Sequence, residues 1–281
     1  MRRGCLAYAG AMAIWLAVGA LPASAAEPSE LYFKGDIGVS FGTGDATGRN
    51  DGLARTNSGE DEDASPVYGV ALGVRFAMNR ALPWRWRTPE MRIPYWPGRH
   101  IECGGEESGF PEWPVSFELE HLRGRNYDYD TRSFAPRDPY RAEVDSWTTT
   151  GNLRLDVPVR SAVQQLFGRV PVLDPLSVYL TAGAGVAYNE LEASQALSRG
   201  TDESYELAWQ GGVGFGYQLT ERVRWSAGWR YVDMGSVEAT LTDNASPANR
   251  TGSYSADLRA HEFATSLTFA FWRVSFLGDD Y

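Results

Sequence analysis

The stretch from Tyr205 to Gly235 constrains this chain more than any other. Read by twos, it places Leu207, Trp209, Gly211, Val213, Phe215, Tyr217 and Leu219 on one face, with Ala208, Gln210, Gly212, Gly214, Gly216 and Gln218 on the other. After Thr220-Glu221-Arg222 the alternation resumes, with Val223, Trp225, Ala227, Trp229 and Tyr231 against Arg224, Ser226, Gly228 and Arg230. Two period-2 segments joined by a tight polar turn read as a β-hairpin. One face is apolar with aromatics near its ends; the other is small, polar or charged. In a soluble sandwich the large residues would face a core. Here the small face suits a crowded lumen and the aromatic-ended face suits lipid, the pattern of a transmembrane barrel.

Residues 1–25 read as a targeting segment. Arg2 and Arg3 form a basic start, Leu6 to Val18 is apolar, and Ala23-Ser24-Ala25 offers a small-residue cleavage site. The apolar run is short for a membrane anchor. Cys5 precedes that run, so a lipoprotein signal is not supported. The mature chain, 26–281, keeps all 36 acidic residues and loses two of 26 basic ones, so its formal charge is −12. Such a balance disfavours nucleic acid as a partner, because phosphate binding needs a basic surface. Only Cys103 survives cleavage, which excludes an intrachain disulfide, and it reads as a buried thiol.

Further alternating segments follow in order. The first strand, Leu31 to Phe41, turns Phe33, Ile37, Val39 and Phe41 outward and Lys34, Asp36 and Ser40 inward. Gly42 to Pro66 reads as a long polar outer loop, and its acidic run Glu60-Asp61-Glu62-Asp63 lacks EF-hand spacing. The second strand, Tyr68 to Phe76, directs Arg75 inward. Residues 77–114 then break the pattern with four tryptophans and six prolines, and read as an ordered insertion on the periplasmic side. His100, Glu102 and Cys103 form an incomplete metal set there, and no metal or cofactor is expected.

The third strand, Val115 to Leu122, faces Glu118 and Glu120 inward, and Arg123 to Val144 reads as a second polar loop. The fourth, Ser146 to Val157, faces Arg154 and Asp156 inward; a short helix over Ser161 to Phe167 is expected after it. Ser177 to Asn189 is the fifth strand and the opening hairpin supplies the sixth and seventh. After a last outer loop, Ser236 to Ala256, the eighth runs from Leu258 to Phe271 with Glu262 inward. The expected fold is therefore all-β, an eight-stranded antiparallel up-and-down barrel whose two ends share the periplasmic side.

The glycine-rich Val178 to Tyr188 strand, Gly211 to Leu219, and Gly228-Trp229-Arg230-Tyr231-Val232-Asp233-Met234-Gly235 carry a resemblance to a known family. With the closing strand to Phe271, they make the sequence resemble the opacity-type outer-membrane β-barrels of Gram-negative bacteria, small surface antigens. The resemblance covers most of 31–76 and 115–271. It implies an outer-membrane location, contact with membrane lipid, and assembly by the barrel assembly machinery reading Phe271 or, alternatively, Tyr281. The insertion and the extension 272–281 depart from the family pattern.

Small barrels of this type are filled by their own side chains. The inward charges balance: Lys34, Arg75, Arg154, Arg224 and Arg230 against Asp36, Glu118, Glu120, Asp156 and Glu262. Buried charges must pair, so these ten read as an ionic plug. Three functions are compatible with the frame: a surface or structural protein working through its loops, a small porin-like channel, and a lipid A-modifying hydrolase. Catalysis would need a nucleophile within reach of His100, His121 or His261. His121 has no serine two residues on, as the resembling deacylases would show, and His261 beside Glu262 has no obvious serine partner, so no catalytic residue is assigned. The expectation is a non-enzymatic protein whose partners are outer-membrane lipid and an extracellular or periplasmic protein.

Overall fold

The fold is described from a computed structural model, over residues 29–50, 55–77, 85–87, 91–96, 99–103, 107–109, 113–130, 141–159, 175–195 and 197–274. Eight strands close into one barrel: β1 (Ser29–Asn50), β2 (Arg55–Ala77), β7 (Pro114–Asp130), β8 (Arg141–Pro158), β9 (Leu176–Gln195), β10 (Ser198–Gln218), β11 (Val223–Asp243) and β12 (Ser246–Val274). The ring order is β1-β12-β11-β10-β9-β8-β7-β2, with every neighbouring pair antiparallel. The insertion contributes β3 (Arg85–Arg87), β4 (Met91–Trp96), β5 (Arg99–Cys103) and β6 (Glu107–Gly109), paired β3 with β6 and β4 with β5. Its side chains, the signal segment, the expected helix and residues 275–281 lie outside the described residues.

The wall runs well past the expected strand ends. The stretches expected as outer loops, Gly42 to Pro66, Arg123 to Val144 and Ser236 to Ala256, are strand at nearly all of their described residues. The last strand likewise passes Phe271 to Val274. The reason is an inversion of polarity along each strand. In the membrane belt the outward residues are apolar: Phe33, Ile37, Leu72, Leu180 and Phe269 stand exposed on the lipid side, while Lys34, Glu120 and Arg154 are buried within. Above the belt the code reverses. Asp45, Glu143, Glu190 and Glu192 point out, while Ala46, Val144, Leu191 and Ala193 point in. Alternation persists there with its sign changed, so a test for apolar-outward strands reads it as loop.

The outer part of the barrel is a head with its own apolar core. Tyr127, Tyr129, Val144 and Leu191 meet Val237, Leu241, Tyr254 and Leu258 across it, all buried. Gly42 makes room for this: a Cβ there would lie 2.4 Å from the Tyr127 ring, so the ring packs directly on the backbone of β1. The ladder is interrupted on two sides of the head. Between β2 and β7 it spans only Tyr68–Ala77, and between β10 and β11 it is missing from Gly200 to Ala208. The head is thus two four-stranded sheets, β11-β12-β1-β2 and β7-β8-β9-β10, packed face to face like a sandwich.

Candidate functional site

The barrel lumen at membrane depth is polar, and its side chains gather into two clusters. In the upper one Lys34 Nζ donates to Glu118 Oε2 at 2.7 Å and Glu120 Oε1 at 2.9 Å, and lies 3.6 Å from Asp36 Oδ2. Tyr32 donates its hydroxyl to Glu118 at 2.7 Å. Glu120 Oε2 also accepts from Gln210 at 2.8 Å, Asn152 at 3.0 Å and Arg230 Nη1 at 3.3 Å. Glu262 joins the two sides of the ring, accepting from Arg230 Nε and Arg125 Nε, each at 2.5 Å, and from Ser40 Oγ at 3.0 Å. The Tyr127 hydroxyl reaches Ser40 at 2.6 Å, which ties the ionic cluster to the head core above it.

The lower cluster is built on Asp156. It accepts from Arg154 Nε and Nη2 at 3.2 Å each, and from Arg224 Nη1 at 3.1 Å and Nη2 at 2.6 Å. Arg224 also donates to Ser177. The Arg154 guanidinium lies 3.8 Å over the centre of the Tyr179 ring, a cation–π contact. Between the clusters a cavity of about 40 Å³ is bordered by Lys34, Asp36, Arg154, Tyr179, Gln210 and Arg230. That is room for a few water molecules at most.

Nine of the ten residues expected in the plug fall in these two clusters. Arg75 stands apart: its guanidinium lies 3.6 Å from Glu30 and 5.0 Å over the Tyr32 ring. Sequence reasoning missed Arg125, which is fully buried against Glu262 and Thr148. Its signal was Gly124, whose φ of +94° and adjoining register shift form a β-bulge. The bulge changes which parity of β7 faces inward, from Glu118, Glu120 and Leu122 to Arg125, Tyr127 and Tyr129. Gln210 and Asn152 were legible as inward, but their convergence on Glu120 was not.

The motif residues divide by face. Arg230 enters the lumen, while Trp229 and Tyr231 face outward and meet His261 with ring centres 5.7 and 5.4 Å apart. Asp233 accepts from the Gly235 N–H at 3.1 Å, and Gly235 lies beneath the Glu206 side chain. Phe271 is lipid-facing. His121 shares a 2.9 Å hydrogen bond with Thr149, also on the outer wall. The two histidines of the barrel thus face away from the lumen carboxylates Glu120 and Glu262. The acidic run Glu60 to Asp63, read as a solvated loop, belongs to β2, and Asp63 and Asp61 accept from the N–H groups of Asp128 and Asp130 at 2.8 and 2.6 Å. The side chains of His100, Glu102 and Cys103 lie outside the described residues.

In the head, burial pushes the phenols of Tyr129 and Tyr254 above the usual tyrosine range, and the nearby Asp61 carboxylate acts in the same direction on both.

A closed ring of eight antiparallel strands, apolar outside and charged within, defines an integral outer-membrane barrel of Gram-negative type. A family model described as "Outer membrane protein beta-barrel domain" matches residues 101–271. The chain belongs to that family. No curated protein sequence matches it. Among solved structures it is similar to Neisserial surface protein A, with 13% identity over 86% of this chain and 99% of that one and a TM-score of 0.38. It is similar to OprG from Pseudomonas aeruginosa, with 11% identity over 88% and 99% and a TM-score of 0.46. It is also similar to the outer membrane protease OmpT from Escherichia coli, with 8% identity over 86% and 97% and a TM-score of 0.39.

Proposed function

We propose that this outer-membrane barrel is closed to ions and acts as a surface or structural protein, through its head. The observation that carries this reading is the stacking of two obstructions on one axis. The ionic clusters around Glu120 and Asp156 fill the lumen at membrane depth, and above them the apolar head core is packed without exposure. A permeating ion would have to break buried ion pairs and then cross a dry layer, and each is costly. The head, with charged walls and strand tips clear of the membrane, is the surface that an extracellular partner or neighbouring lipid headgroups would meet. On the same reading the insertion of residues 77–114, joined to β2 and β7 at the Ala77–Pro114 pair, faces a periplasmic partner.

The test is single-channel recording of the refolded full-length protein in a planar bilayer, beside gel mobility with and without boiling. The expected result is a mobility shift on boiling with no steady conductance. Stable conductance steps would overturn the closed-lumen reading and make a small pore the leading function.

A further inference from the structure

We propose that the β2–β7 join is a built release point of the barrel, latched shut by side chains of β2 that stand in for backbone carbonyls. Among the described residues this is the shortest ladder of the ring. Every residue of β1 from Ser29 to Asn50 pairs with β12, whereas β2 pairs with β7 only from Tyr68 to Ala77. Above Tyr68 both strands continue, each bonded to its other neighbour: β2 to β1 as far as Arg55, and β7 to β8 as far as Asp130. Two strand edges therefore face one another across the outer wall with no ladder between them.

Three side chains bridge this gap in sequence. Ser65 Oγ accepts from the Asn126 N–H and donates to the Gly124 carbonyl, both at 2.9 Å. Asp63 Oδ2 accepts from the Asp128 N–H at 2.8 Å, while its Oδ1 takes the N–H of Ala64. Asp61 Oδ2 accepts from the Asp130 N–H at 2.6 Å. The partners are those the ladder would bring together if it went on in the same register: 68 faces 123, then 65 faces 126, 63 faces 128 and 61 faces 130. The numbering of the ladder is kept but not its faces, since Ser65 is buried while Asn126 is exposed, and the strands stand a side chain apart.

The bulge at Gly124, where β7 slips by one residue against β8, lies where the β2–β7 ladder stops. Tyr68 lies over Gly124 at the same point and marks the base of the seam. An unpaired strand edge invites pairing with other chains, and proteins guard such edges with charge. Here the guard is bonded to the edge it protects. The second interruption, between β10 and β11, is bounded by ladder at both ends, with Ser198 and Arg199 paired to Asp243 and Thr242 at the tip. The β2–β7 seam has no such closure among the described residues, so the two sheets of the head part there first. Release would free the N–H groups of residues 126, 128 and 130 as an open edge.

Hydrogen exchange of the full-length protein, refolded in detergent micelles, tests the latch amide by amide. In D61A/D63A the Asp128 and Asp130 amides are expected to exchange at least tenfold faster, while amides 118–122 in the membrane belt keep their protection. D61N/D63N keeps a carbonyl oxygen at each site and is expected to restore most of the protection. Unchanged exchange in the alanine variant would overturn the proposal, as would equal acceleration throughout the barrel, or an asparagine variant as fast as the alanine one. If the alanine variant does not refold, S65A decides, with faster exchange at Asn126 expected and wild-type exchange overturning the latch.

Discussion

Glu262 shows how much one carboxylate can organise. It holds Arg125 and Arg230 from opposite sides of the lumen and is itself fully buried. Removing one member of a buried pair leaves the others charged and unsolvated, and such changes cost about 3–5 kcal/mol. Glu262→Ala is therefore expected to lower unfolding free energy by that amount, measured by urea titration of the protein in micelles. Glu262→Gln keeps the shape and an acceptor, and is expected to cost less. Asp156 plays the same part for Arg154 and Arg224. Both carboxylates were visible in the sequence as inward members of alternating runs. Their pairing was not, because cross-barrel partners depend on strand stagger, which alternation does not encode.

At the scale of the element, the departures from sequence expectation share one cause. Strand identity was legible wherever large apolar residues recur by twos, as from Val178 to Tyr188. It was lost from Gly42 to Asn50, where Gly42, Gly44, Ala46 and Gly48 point inward and Thr43, Asp45, Thr47 and Arg49 outward. These glycines read as loop residues by composition, yet Gly42 and Gly44 leave space for the rings of Tyr127 and Tyr129. Arg125 escaped notice for a related reason, since one bulge residue reverses the inward parity of all that follows. Gly124→Ala tests this. A left-handed φ at a residue with a Cβ costs about 1–2 kcal/mol, and the new methyl would press on Tyr68 at 2.6 Å. The expected outcome is a destabilised head with faster amide exchange from Arg125 to Asp130, and an intact membrane belt.

For the whole molecule, the head and the belt are two cores of opposite polarity sharing eight continuous strands. Their responses to alkali should differ. Tyr129 and Tyr254 have phenols raised above the ordinary value near 10. The unfolded chain ionises them first, so their contribution to stability is fully present below about pH 10 and declines as pH rises beyond it. Tyrosinate absorbance is expected to show these two phenols resisting ionisation well above pH 10 while the head is folded. Tyr129→Phe removes one such group and is expected to shift the alkaline unfolding of the head to higher pH, followed by tyrosine fluorescence.

The polarity reversal also fixes what a visitor at the cell surface can touch. From Gly42 to Asn50 the wall of β1 extends about 30 Å along the strand beyond its last lipid-facing aromatic. Allowing for the usual tilt of barrel strands, that carries the tips roughly 20 Å above the hydrocarbon. A large molecule approaching from that side would meet hairpin tips such as Leu197 first, which is 76% exposed. Substitutions should then be tolerated best at tips such as Leu197, while the inverted walls stay constrained by the core they enclose.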